Sequence, residues 1–158
     1  MFQNNSLESP KAWIHEGYRV FPCNDKSPLV KWQTENKKIF YDGNAIGLYL
    51  QGVTDFDVDN PVAHTFIKEY LGKCGAIYGR LSNPNSHYLF KGDYEFKQFV
   101  IPKSLEKHFE DYAHGTTIGE IRNGEHYSIV PNSKINGEKV EWSNFTGIKE
   151  YDGDLVKD

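Results

Sequence analysis

Short segments rich in apolar and aromatic residues recur along the chain, and such segments are typical of β-strands. Glycine, proline and asparagine residues separate these segments and indicate turns. The predicted strands cover residues 18–22, 29–32, 45–50, 53–59, 75–80, 86–90, 116–122, 125–130 and 140–142.

Two of the turns predict β-hairpins. Residues 51–52 would join strand 45–50 to the acidic strand that follows. Asn123-Gly124 is the strongest hairpin signal in the chain, because both residues tolerate the positive φ of a two-residue turn. With that turn, Arg122 would pair with Glu125, and Glu120 would share a face with Arg122.

Helical patterns occur at three places. Ser9-Pro10 predicts a helix to about residue 16, and Asn60-Pro61 predicts a second that ends near Gly72. Residues 102–112 suit a surface helix. Strands with two or three packed helices predict an α+β fold with a mostly antiparallel or mixed sheet. We expect one domain over residues 1–158, with loose ends at about 1–8 and 149–158.

The acidic strand ends in Asp57-Val58-Asp59. Side chains two apart on a strand project to one face, so these two carboxylates lie roughly 6.6 Å apart along the strand. Carboxylates held this close repel each other unless a cation lies between them, and oxygen ligands suit Mg²⁺ or Mn²⁺. The alternative is a strand end whose acids are simply solvated, and Asp-x-Asp alone favours that alternative.

Composition restricts the possible function classes. The net charge of −4 argues against a protein that binds nucleic acid by electrostatics alone. The two cysteines are far apart and suggest neither a zinc site nor a disulfide framework, so we expect an intracellular, cytoplasmic protein. No apolar run approaches the length of a membrane helix, and we expect no membrane partner.

Two further groups could complete a site with the acid pair. Glu120 offers a third carboxylate, and two metal ions held by such acids can support phosphoryl or nucleotidyl transfer. This chemistry needs donors that hold a triphosphate. Each candidate alone is more often a solvated or core side chain. The candidate donors are Arg80, Ser82, Ser86 and His87, with Arg122 a weaker one.

The order of these groups resembles the primase–polymerase domain of the archaeo-eukaryotic primase superfamily, of the type found on plasmids, phages and other mobile elements. The resemblance runs over nearly the whole chain. The segments that resemble the three family motifs are Asp57-Val58-Asp59, residues 79–87 ending in Ser86-His87, and Ile118-Gly119-Glu120-Ile121-Arg122.

The resemblance implies a template-dependent DNA primase and polymerase whose catalytic core has an RRM-like sheet at the active site. It implies two Mg²⁺ or Mn²⁺ ions held by Asp57, Asp59 and Glu120, and a histidine, His87, that contacts the nucleotide phosphates. The implied partners are single-stranded DNA template, ribo- or deoxynucleoside triphosphates and a helicase domain or protein encoded alongside.

Asp55 departs from the family pattern, which usually has an apolar residue there, and adds a third acid to the same strand face. We expect Asp57 and Asp59 to be the metal-binding pair, because Asn60-Pro61 follows them directly. Two alternatives stay open. One is a non-catalytic nucleotide- or single-strand-binding module of a replication initiator, and the other is a metal-dependent nuclease.

Overall fold

The computed structural model describes residues 7–31, 43–71, 73–100 and 117–151. Within these ranges about half of the residues lie in β-strands and far fewer lie in helices. The strands are β1 (Val20–Asn24), β2 (Ser27–Pro28), β3 (Ala45–Tyr49), β4 (Val53–Val58), β5 (Ala76–Arg80), β6 (Asn83–Lys91), β7 (Lys97–Val100), β8 (Thr117–Arg122), β9 (Tyr127–Val130), β10 (Ser133–Ile135) and β11 (Glu138–Phe145). The helices are α1 (Pro10–His15) and α2 (Pro61–Leu71).

The described strands form two antiparallel sheets. The small sheet has the order β2-β1-β3-β9, and the large sheet has the order β10-β11-β5-β6-β4-β8-β7. One hydrophobic core contains residues of both sheets together with Trp13 of α1. A second core contains residues of the large sheet and of α2, among them Phe56 and Leu71. β4 lies inside the large sheet, between β6 and β8.

The predicted α+β class is therefore wrong, and so is the helix-packed RRM-like sheet that the resemblance implied. The described chain is mostly β, with helices of only 6 and 11 residues. Few helices pack on the large sheet because the small sheet shares the hydrophobic core on one of its faces. Mainly the other face is left for a helix, and α2 packs there. The predicted helix 102–112, together with Trp32, Gly72 and Thr116, lies outside the described residues. Neither helix is long and apolar enough to cross a membrane.

Both predicted hairpins are wrong in their pairing. β3 pairs with β1 and β9, whereas the next strand, β4, pairs with β6 and β8. In the same way β8 lies in the large sheet and β9 in the small one. At each predicted turn the chain therefore passes from one sheet to the other. The two crossings lie next to each other. Gly124 N–H donates to Leu50 O at 2.7 Å, and the side-chain amide of Asn123 donates from Nδ2 to Val53 O at 2.8 Å.

The predicted helix starts are confirmed. The Ser9 hydroxyl accepts a hydrogen bond from Ala12 N–H at 3.1 Å at the start of α1. The Asn60 side chain accepts one from Ala63 N–H at 3.4 Å at the start of α2. These local signals hold because a cap satisfies a free N–H of its own helix and needs no distant partner.

Candidate functional site

Three acids on one face of β4 and its end run from the protein interior to solvent. Asp55 is fully buried, the side chain of Asp57 is 14% exposed, and Asp59 is exposed. The alternate residues Phe56 and Val58 belong to the core that contains α2. The period of two along a strand thus gives β4 one apolar and one acidic face.

The strands on either side of β4 bring the other predicted residues to the acidic face. Asp57 lies directly opposite His87 of β6 and Glu120 of β8. Asp55 lies opposite Arg122 in the same register. Residues directly opposite each other in an antiparallel pair share a face, so groups far apart in sequence meet here.

The predicted carboxylate cluster is assembled in the structure. Carboxylate oxygens of Asp57, Asp59 and Glu120 all lie within 4.8 Å of one another. An all-oxygen donor set of this kind matches the preference of Mg²⁺ and Mn²⁺. The residues present therefore fit the metal that the sequence predicts, while its binding stays a prediction.

The Asp57 carboxylate is difficult to ionise, mainly because it is buried. Burial raises its pKa to about 6, and although His87 and Arg122 act to lower it, Asp55 and Asp59 add repulsion. Arg122 Nη1 lies 3.9 Å from Asp57 Oδ2 and compensates only partly. A divalent cation beside these carboxylates would favour the ionised form of Asp57.

His87 lies between the acids and a buried aromatic ring. Its Nδ1 is 2.8 Å from Asp55 Oδ2 and 3.7 Å from Asp57 Oδ1, and its ring stacks on Tyr78 with centroids 4.6 Å apart. Burial by itself would lower the pKa of His87, but the two acids outweigh it and raise the pKa to about 9. At neutral pH the imidazole therefore carries a positive charge.

A cleft of about 440 Å³ opens over this group and is lined from both sheets. The large sheet contributes the three clustered carboxylates, His87 and Arg122. Lys26, between β1 and β2, and Tyr127 and Ser128 of β9 line the opposite side. No pattern in the sequence marks these three residues as part of a site, because only the packing of the small sheet brings them to the cleft.

The predicted triphosphate donors are only partly brought together. Ser86 and His87 line the cleft. Arg80 also lines it, but its Nη1 lies 3.5 Å from Glu138 Oε2. Ser82 does not line the cleft, since its N–H and its hydroxyl donate to Glu138 at 2.8 and 2.7 Å.

The position of Ser82 follows from a tighter connection than the sequence predicts. The predicted strands 75–80 and 86–90 leave five residues between them, but β6 already begins at Asn83 and only two residues separate it from β5. The pairing shifts register between Tyr78 and Arg80, and Asn85 adopts a φ of 52°. A Cβ at Gly79 would lie 2.5 Å from Asn83 O, so this irregular pairing requires glycine there.

Comparison with models of known protein families, with curated proteins and with solved structures finds no match. The resemblance to primase–polymerase domains therefore stays a prediction from the motifs.

Proposed function

We propose that the protein is a template-dependent nucleotidyltransferase of the primase–polymerase type, which starts or extends DNA strands from nucleoside triphosphates. The observation that carries the proposal is the convergence of three carboxylates with His87 and Arg122 in one cleft. Acids alone would support metal binding of many kinds. Cations directly beside them add a place for the phosphates of a substrate.

Asp57, Asp59 and Glu120 are the residues that would hold Mg²⁺ or Mn²⁺ in this proposal. When bound, such ions supply charge stabilisation for the attacking and leaving oxygens of an in-line displacement. An added cation would favour the ionised form of Asp57, whose pKa is raised to about 6 mainly by burial.

The remaining side chains of the cleft would bind and orient the triphosphate. His87 is cationic, Arg122 provides a planar fork of donors, and Lys26 lines the same cleft from the loop between β1 and β2. In the reaction the 3′-oxygen of the growing strand forms a bond to the α-phosphorus while the bond to pyrophosphate breaks. Single-stranded DNA is the template in this proposal, and both ribo- and deoxynucleotides remain candidate substrates.

A metal-dependent nuclease is the second candidate function. The observation that favours it is the pairing of Arg80 and Ser82 with Glu138, which withdraws two of the predicted triphosphate donors. A nuclease binds a phosphodiester and has no γ-phosphate to hold. The same acid cluster could serve either reaction.

Isothermal titration calorimetry with nucleoside triphosphate and monophosphate, each with Mn²⁺, separates the two candidates. A charge-assisted hydrogen bond to phosphate contributes about 1.5–3 kcal/mol, so we expect the wild-type protein to prefer the triphosphate by about tenfold or more. His87→Gln and Arg122→Gln should each remove most of that preference. Equal affinities in the wild-type protein would contradict the polymerase proposal and favour the nuclease.

A further inference from the structure

Asp55 has no part in the proposed chemistry, although it belongs to the same strand face as the metal-binding acids. It is fully buried and does not line the cleft. A buried carboxylate is strongly destabilising unless other groups donate hydrogen bonds to it. Its contacts therefore indicate what it does.

Two donors from different sheets converge on one oxygen of Asp55. Oδ2 accepts a hydrogen bond from His87 Nδ1 at 2.8 Å and another from the Ser128 hydroxyl at 2.5 Å. Oδ1 has no hydrogen-bond partner in the described part of the chain. Ser128 comes from β9 of the small sheet and His87 from β6 of the large sheet, so the carboxylate is held by a donor from each sheet.

These contacts restrict the His87 ring. A carboxylate only accepts hydrogen bonds, so Nδ1 carries the hydrogen that it donates to Asp55. The face of the ring stacks on Tyr78 at an interplanar angle of 9°, which limits rotation about the side-chain bonds. With Nδ1 occupied, Nε2 is the ring nitrogen left for a ligand in the cleft.

We propose that Asp55 is a positioning residue, which together with Ser128 fixes the orientation of the His87 ring so that Nε2 is presented to the phosphates of the substrate. The identity of that substrate rests on the proposed function. The restraint of the His87 ring by Asp55 and Ser128 does not depend on it. A purely structural Asp55 would join the two sheets without affecting what His87 binds.

Proton NMR of the full chain tests whether Asp55 and Ser128 restrain the His87 ring. The wild-type protein should show a downfield, slowly exchanging Nδ1 proton that is absent from His87→Gln, which assigns it. Asp55→Asn and Ser128→Ala should lose or strongly shift this resonance. Ser133→Ala is the matched control, because Ser133 is equally buried but donates no bond to Asp55 and instead accepts from Ile46 N–H. An unshifted resonance in folded Asp55→Asn or Ser128→Ala, or none in the wild-type protein, overturns the proposal.

A double-mutant cycle on the affinity for dATP with Mn²⁺ tests whether Asp55 acts through His87. We expect Asp55→Asn to weaken binding about tenfold in the wild-type background and to cause no further loss in His87→Gln. If Asp55→Asn does not fold, Ser128→Ala takes its place in the cycle. The same loss in both backgrounds, or no loss in either, overturns the proposal. A wild-type protein that does not bind dATP would contradict the proposed function, and the NMR result would then decide the role of Asp55 alone.

Discussion

The two faces of strands β4, β6 and β8 are built from alternate residues of the same segments, yet they differ in almost every physical property. One face presents Phe56, Val58 and Ile121 to the core that contains α2. The other presents three acids of β4 and its end, with His87, Glu120 and Arg122 beside them. The apolar face contributes hydrophobic stabilisation, while the polar face holds like charges close together.

This contrast separates stability from the proposed function. Buried apolar side chains stabilise the fold whether or not a ligand is bound. Acids that repel one another destabilise the metal-free protein and become favourable only beside a cation. Removing a buried side chain of the apolar face should therefore lower the free energy of unfolding, whereas neutralising Asp57 on the polar face should raise it.

Ile121→Ala should give the largest effect on stability. Ile121 is fully buried on the apolar face, and removing such a side chain lowers the free energy of unfolding by about 2–5 kcal/mol. Chemical denaturation measures this loss. The neighbouring Glu120→Gln is the control, since a half-buried residue of the polar face should change stability by no more than about 0.5 kcal/mol. Equal losses in the two variants would contradict the division between the faces.

Glu120→Gln should instead act on activity. If Glu120 is the third metal-binding acid, we expect the rate of nucleotide incorporation to fall by about a hundredfold, or about 2.7 kcal/mol of transition-state stabilisation. The Mn²⁺ concentration needed for half-maximal activity should rise at the same time. A titration of activity with metal measures both effects, and an unchanged curve would remove Glu120 from the site.

Asp57→Asn should stabilise the metal-free protein above pH 6. Folding raises the pKa of Asp57 from 3.8 to about 6, so ionisation destabilises the folded state as pH rises through this range. The difference in pKa corresponds to up to about 3 kcal/mol. Thermal melts in chelator should show a higher Tm for the variant at pH 7.5 and little difference at pH 3.5. A lower Tm for the variant at pH 7.5 would contradict the destabilisation that we expect from burying the ionised Asp57 carboxylate.

Ser82→Ala should have the smallest effect on the proposed function. Ser82 donates two hydrogen bonds to Glu138 and lies outside the cleft, so nucleotide affinity should stay within about twofold of wild type. The pKa of Glu138, which these hydrogen bonds lower, should move back towards its ordinary value. Calorimetry and NMR titration check the two expectations. A tenfold loss of nucleotide affinity would return Ser82 to the binding site.

The sequence allowed several local features to be predicted, because neighbouring residues determine them. Asp57 and Asp59 share a face by the period of the strand, and the cap at Asn60 needs only its own helix. The pairing of strands was not predictable in this way. Asn123-Gly124 has the composition of a hairpin turn, but here it connects two sheets, and nothing nearby in the sequence distinguishes these outcomes.

Parts of the site that depend on sheet packing were missed for the same reason. Lys26 and Ser128 reach the cleft only because the small sheet packs on the large one. Asp55 differs from Asp57 in burial rather than in sequence pattern, so its contact with Ser128 could not be inferred. Arg80 and Ser82 were assigned by proximity in sequence to His87, but Glu138, 56 residues beyond Ser82, binds them.

The most direct test of the proposed function is nucleotide incorporation on single-stranded DNA template, with and without primer. Wild-type protein and the Asp57→Asn/Asp59→Asn variant are compared with Mg²⁺ or Mn²⁺ and labelled ribo- or deoxynucleoside triphosphates. We expect template-dependent products from the wild-type protein and at least about a hundredfold less from the variant. The variant should melt at or above the wild-type Tm at pH 7.5. Undiminished synthesis by the folded variant, or no incorporation of either nucleotide type by the wild-type protein, would contradict the proposal.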